Sequence, residues 1–312
     1  MLSARPSPPG LTDAMMVYDA ADGYVVLFGG YNATFTSNQT WAYNAGTWTQ
    51  LHPKISPSAR GDATMAYDPK DKEVVLYGGI GLGPNCQNGY IYCDDTWTFS
   101  AGQWTNITAT AAGPGGLAYG SMTYDAAIGK LVLFGGVFDP CGCVDYVYTT
   151  LYAFEKGTWT LLHAKGSGGR NGLPGAEVSV AYDAVDHYLV EFGGWSHTSG
   201  SFVNYTWNFS AHRWNRLYPT PSPMWRVSDN LVFDPKLGGV ILFGGLNWQG
   251  SAGPNDTWEF VGGSWTQLHP VQSPPQETYA ASSAYDAADR CLLLFGGQGT
   301  SGGPSNDTWV FR

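Results

Sequence analysis

The sequence predicts an all-β chain, a six-bladed β-propeller of four-stranded antiparallel blades. Three observations carry that reading: a β-type composition, a set of marks that recurs six times at fixed spacing, and room for four short strands in each recurrence.

Hydrophobic residues make up 43% of the 312 residues and charged ones only 13%, with 42 Gly and 13 Trp. Aromatic and β-branched side chains suit a pleated surface, and Gly suits tight turns. All-β folds often exceed about 200 residues as one unit, so a single domain over residues 1–312 is expected. Acidic side chains number 25 against 15 basic ones, a net charge of −10, and the basic ones are scattered singly. Such a surface repels a phosphate backbone, so nucleic acid is excluded as a partner. No apolar run reaches the roughly 18 residues of a membrane span. The start, Met1 to Pro6, lacks the apolar stretch of a leader, so a signal peptide is expected to be absent or already trimmed.

The recurring marks begin with Tyr18-Asp19, Tyr67-Asp68, Tyr124-Asp125, Tyr182-Asp183, Phe233-Asp234 and Tyr285-Asp286. Ten residues after each Asp stands Gly-Gly, starting at Gly29, Gly78, Gly135, Gly193, Gly244 and Gly296. An apolar run such as Val25-Val26-Leu27-Phe28 lies between them, as a strand buried on both faces requires. Downstream, aromatics stand seven residues apart: Trp41 and Trp48, Trp97 and Trp104, Tyr152 and Trp159, Trp207 and Trp214, Trp258 and Trp265. The sixth copy has Trp309 and no second aromatic. Blades are expected near 10–53, 59–108, 114–163, 174–219, 225–270 and 277–312. The last is expected to be closed by the N-terminal segment or to be incomplete, its missing part lying in a longer parent chain with further domains.

These marks resemble the kelch repeat: the double Gly, the Tyr before a turn and the two spaced aromatics. The resemblance covers nearly the whole chain and implies the same propeller fold. One position departs from it. Kelch units carry a small His-containing motif six residues before the Asp, where this chain has Asp13, Asp62, Tyr119, Glu177, Ser228 and Ala280.

In an up-and-down blade, the loops after the second and fourth strands emerge on one face, and here those after Gly-Gly are the long and variable ones. Variable loops on a rigid frame are where binding resides. The ligand-binding candidates are therefore Tyr31, Arg60, Asp62, Tyr119, Asp139, Trp195, His197, Arg226, Trp248 and Tyr279. Aromatic rings beside Arg and carboxylates suit sugars or peptides. Asp13, Asp62 and Glu177 are expected near the axis, either as strand-end hydrogen-bonding groups or as interacting acids. Arg60 and Arg226 have the alternative of tying blades together.

Four of five cysteines fall in two loops, Cys86 with Cys93 and Cys141 with Cys143. Pairing of Cys86 with Cys93 is the easiest, cross-loop bridges stay open, and a four-thiolate zinc site is the competing reading. Disulfides imply an extracellular or cell-surface protein. Candidate glycosylation sequons are Asn32, Asn38, Asn106, Asn204 and Asn208.

Some kelch propellers are enzymes, copper-radical oxidases and sialic-acid epimerases among them. The copper chemistry needs a Tyr crosslinked to Cys and two His ligands. His52, His163 and His269 recur at one scaffold position, which leaves only His197 on the variable face, so no metal and no cofactor is expected. The leading expectation is a recognition module that binds glycan or protein. The alternative is an epimerase or lyase on an acidic sugar, using His197, Glu177 and Arg170.

Overall fold

The computed structural model describes residues 6–83, 86, 92–111, 113–138, 146–163, 173–196, 199–228, 230–247, 254–274, 279–298 and 302–312. Six antiparallel sheets stand around an axis, as the repeat predicts. Blade one comprises Met15–Asp19, Tyr24–Phe28, Thr40–Asn44 and Thr47–Leu51; blade two Thr64–Asp68, Glu73–Tyr77, Thr96–Ser100 and Gln103–Asn106. Blade three comprises Ser121–Asp125, Lys130–Phe134, Leu151–Glu155 and Thr158–His163; blade four Ser179–Asp183, Tyr188–Phe192, Thr206–Ser210 and Arg213–Leu217. Blade five comprises Asn230–Asp234, Gly239–Phe243, Thr257–Val261 and Ser264–Leu268. Blade six has Ser282–Asp286, Cys291–Phe295 and Thr308–Phe311, three strands among the described residues. The first strands touch one another around the axis.

Each mark of the repeat has a physical duty. The Asp of Tyr-Asp caps the turn into the second strand: Asp19 Oδ1 accepts from the backbone N–H of Ala21 and Asp22, at 3.0 and 3.2 Å. Asp68, Asp125, Asp183, Asp234 and Asp286 accept in the same way from the residues two and three ahead. A carboxylate that mimics a turn this way fixes the hairpin without a longer loop. The second strands that follow are the core; Val25, Val26, Leu27 and Phe28 are wholly buried.

Gly-Gly fastens one blade to the next. The second Gly donates its N–H to a carbonyl of the following blade: Gly30 to Arg60, Gly79 to Leu117, Gly136 to Gly175 and Gly194 to Arg226, at 2.6–3.1 Å. The ring closes identically, Gly297 donating to Leu11 O at 2.8 Å while Leu11 N–H donates to Ser305 O at 3.1 Å. Residues around Leu11 thus join blade six to blade one, while residues 1–5 of the N-terminal segment expected to close the last blade lie outside the described residues. The first Gly has no room for a side chain. At Gly29, φ is +73° and an added Cβ would stand 2.4 Å from Arg60 O.

The second aromatic of each pair seals the outer interface. Trp104 packs against Phe28 of blade one and its own Phe99, with centroids 5.1 and 4.9 Å apart, and its indole N–H donates to Thr40 Oγ1 at 2.9 Å. Trp48, Trp159 and Trp265 repeat the bond to Thr308, Thr96 and Thr206. Trp214 breaks the pattern because blade three has Leu151 where the other blades have Thr. Its Nε1 is buried with no hydrogen-bond partner. A buried donor left unmet costs about 1–3 kcal/mol. We therefore expect Trp214→Phe to destabilise less than Trp104→Phe, by about 1–2 kcal/mol in urea unfolding, because only the latter breaks a bond.

Candidate binding site at the axial mouth

The six residues at the departing kelch position form a ring at the variable-loop end of the axis. Asp13, Asp62, Tyr119, Glu177, Ser228 and Ala280 all have left-handed backbone, with φ between 51 and 58°. Such φ is uncommon without Gly, and only Asp among these tolerates it readily. The ring is held by bonds from blade to blade: Asp13 N–H to Ala280 O at 2.8 Å, Asp62 to Asp13 and Tyr119 to Asp62, both at 3.1 Å, and Ala280 to Ser228 at 3.4 Å. The sequence marked the position but carried no sign of its handedness. The consequence is pre-organisation, since backbone bonds running from Tyr119 through Asp62, Asp13 and Ala280 to Ser228 aim these side chains.

Those side chains line the mouth, together with Ser121 and Ser179. The Asp13 and Asp62 carboxyls hydrogen-bond to each other, so one proton between them is favoured. Burial pushes Asp13 up to about 6, with hydrogen bonds from Thr12 and Asp62 opposing the rise. Burial and the charge of Asp13 hold Asp62 well above the usual carboxylate range, and they raise Glu177 too. The Tyr31 hydroxyl donates to Asp62 Oδ2 at 2.9 Å. Burial and the neighbouring carboxylates push the Tyr31 and Tyr119 phenols up, so both stay protonated donors. Among the described residues no Lys, Arg or His lines this mouth, and no group of three His, Cys, Asp or Glu side chains could hold a metal ion.

A second feature lies on blades four and five. Trp195 meets Phe202 edge-on at 4.9 Å, and Phe202 stacks on Trp225 at 5.8 Å with the planes 8° apart. All three rings are half-buried and Met224 beside them is exposed. Sequence reading found Trp195 and passed over Phe202, whose place in a short strand pair with Trp195 is set by the loop. Tyr279 is half-buried at the entry to blade six, its carbonyl accepting from Gln298.

Arg60 and Arg226 are buried in ion pairs, which leaves neither guanidinium open to a ligand. Arg60 is fully buried and bidentate with Asp95 Oδ1 and Oδ2, and it also donates to Gly78 O at 2.9 Å and Ser58 O at 3.0 Å. Arg226 repeats the arrangement with Asp256, at 2.7 and 3.1 Å, and with Gly244 O and Met224 O. Burial raises the Asp256 carboxyl, but the bonds and charge of Arg226 outweigh it and hold the group below its ordinary value. Both guanidiniums are spent inside their own blade, on the loop before the first strand and the start of the third.

Asp139, Arg170, His197 and Trp248 lie outside the described residues, as do Cys141 and Cys143. Cys86 and Cys93 form a disulfide. Of the sequons, Asn38, Asn106 and Asn204 are exposed, whereas Asn32 donates its amide to Gly10 O at 2.7 Å and Asn208 accepts from Asn215.

No protein-family model matches the chain. An F-box/kelch-repeat protein of Arabidopsis thaliana is 28% identical over 154 residues, which is 45% of this chain and 31% of that protein. The match thus spans about a third of that relative's length. The solved structure of YjhT superimposes with a TM-score of 0.69 at 17% identity, over 98% of this chain and 96% of that one. The kelch resemblance therefore holds in part of the sequence, and the propeller likeness holds over nearly the whole fold.

Proposed function

We propose that this kelch-like propeller is an extracellular recognition module that binds a partner protein by taking one of its basic side chains into the axial mouth. The propeller fold itself is consistent with a binding module. The observation that carries the finer reading is the mouth: Asp13, Asp62 and Glu177, flanked by Tyr31 and Tyr119, with no cation beside them among the described residues. Carboxyls raised by burial and mutual repulsion gain most from an incoming positive charge. An acidic sugar is repelled by this field, and two arginines that would have offset it are bound to Asp95 and Asp256. The Cys86–Cys93 disulfide supports an oxidising compartment.

A second reading, a neutral glycan, is favoured by the Trp195–Phe202–Trp225 rings, since flat aromatics stack on sugar faces. Titrating the protein with short peptides that present a single Arg or Lys, and with neutral oligosaccharides, separates the two. Saturable peptide binding that weakens at least about tenfold in Asp13→Asn/Asp62→Asn, and falls with salt, is the expected result. Oligosaccharide binding lost in Trp225→Ala and unchanged in the double Asn variant would replace the first reading by the second.

A further inference from the structure

Blade four departs from its neighbours around its third-strand tryptophan. In blades one, two and five that indole N–H donates to the side chain two residues earlier: Trp41 to Gln39, Trp97 to Asp95 and Trp258 to Asp256, at 3.0, 2.7 and 2.6 Å. Blade four has Tyr205 at that place, and Trp207 Nε1 is buried without an acceptor. Directly across the strand pair stands Arg216, where blades one and five have Gln50 and Gln267. Its guanidinium carbon lies 3.4 Å from the centroid of the Tyr205 ring and 4.9 Å from that of Tyr218. Its Nε is buried with no hydrogen-bond partner, and no carboxylate of the described residues comes within ion-pair distance. Four buried side-chain nitrogens are unmet among the described residues, and three of them, on Trp207, Trp214 and Arg216, stand in the last two strands of this one blade.

We infer that Arg216 anchors a carboxylate-binding site on the outer part of blade four, separate from the axial mouth. The molecule itself shows the complement such a group takes. Arg60 binds Asp95 and Arg226 binds Asp256, each through two N–H groups on one carboxylate. Blade four presents the cation and supplies no carboxylate to it. Stacking on Tyr205 covers the face of the guanidinium and fixes its plane, which leaves the N–H edge to a ligand. A flat carboxylate meets that edge in the same plane, between the two rings, better than a tetrahedral anion does. Tyr218 is 78% exposed and offers a ring beside it for the rest of the ligand. The platform is fixed in place: the Tyr205 carbonyl accepts from the Gly193 N–H at 3.1 Å, and the Asn204 amide beside it donates to Pro223 O at 3.5 Å.

The test is ligand-observed NMR titration of the full chain with two carboxylate probes, acetyl-Gly-Glu-Gly-amide and methyl glucuronide. Each is run beside its uncharged counterpart, the Gln peptide and methyl glucoside. At least one carboxylate probe is expected to saturate the protein, with its counterpart at least about tenfold weaker, and the probe that binds identifies the source as peptide or sugar. Arg216→Gln should abolish this binding in a folded protein, because Gln already holds the position in blades one and five. Arg216→Lys should weaken it at least about fivefold, because an ammonium keeps the charge and lacks the planar fork. Equal binding of charged and uncharged probes overturns the proposal, as does the failure of both carboxylates to bind or an affinity unchanged in Arg216→Gln and Arg216→Lys. Inorganic sulfate that displaces the probe at equal concentration overturns the carboxylate assignment.

Discussion

Arg60→Met is expected to lower the unfolding free energy by about 3–5 kcal/mol, the usual cost of stranding one member of a buried ion pair. Asp95 is 1% exposed, and without Arg60 its carboxylate loses both guanidinium bonds while the Trp97 indole still donates to it at 2.7 Å. Ser58 O and Gly78 O lose their guanidinium donors at the same time. Arg226→Met is expected to cost less, because Asp256 is 19% exposed and water can solvate what the arginine leaves. The double variant Arg60→Met/Asp95→Leu should recover part of the loss, since replacing both partners removes the unpaired charge. Urea unfolding of the four proteins checks the order. An Arg60→Met variant as stable as the parent would mean that the guanidinium is not spent inside the blade, and would return Arg60 to the ligand-binding candidates.

The second large effect is a change of stability with pH. Asp13 is raised from its ordinary value to about 6 in the fold, so the native state binds more protons than the unfolded chain above the ordinary carboxylate range. Stability therefore falls as pH rises from about 4 through about 6, and the penalty is full above that. Asn keeps the shape, tolerates the left-handed φ of 53° and carries no charge. Asp13→Asn is thus expected to stabilise the protein by about 1–3 kcal/mol near neutral pH, with the gain vanishing near pH 4. Melting midpoints of both proteins across that range make the comparison. A gain of equal size at both ends would trace the effect to packing rather than ionisation.

Most of the fold was legible in the chain because its marks are local. Asp19 needs only the two amides just ahead of it to make its turn, and Gly29 needs only the absence of a Cβ. What escaped is what depends on partners far along the chain. Arg60 in a loop reads alike whether it faces solvent or Asp95, 35 residues on. The bond from Trp104 to Thr40 crosses a blade boundary over 64 residues, so the spaced aromatics announced a core without announcing its hydrogen bonds. Leu151 could have been recognised, since it replaces a Thr in an otherwise regular column, but only once that column was known to accept an indole. At the site, Asp13, Asp62 and Glu177 stood out as departures from the repeat. The joining of Tyr31 to Asp62 did not, because it is made by the ring of left-handed backbone that no side-chain pattern records.

The mouth is the centre of the functional account, and proton counting reads it directly. Calorimetric titration with a single-Arg peptide near pH 6, in two buffers of different ionisation enthalpy, measures the protons exchanged on binding. A cation seated on Asp13 and Asp62 lowers their raised pKa values, so a fraction of a proton to about one proton should be released per peptide, and Asp13→Asn should abolish most of that release. Binding with no proton release, or with the same release in Asp13→Asn, would contradict the placement of the ligand at the axial carboxyls.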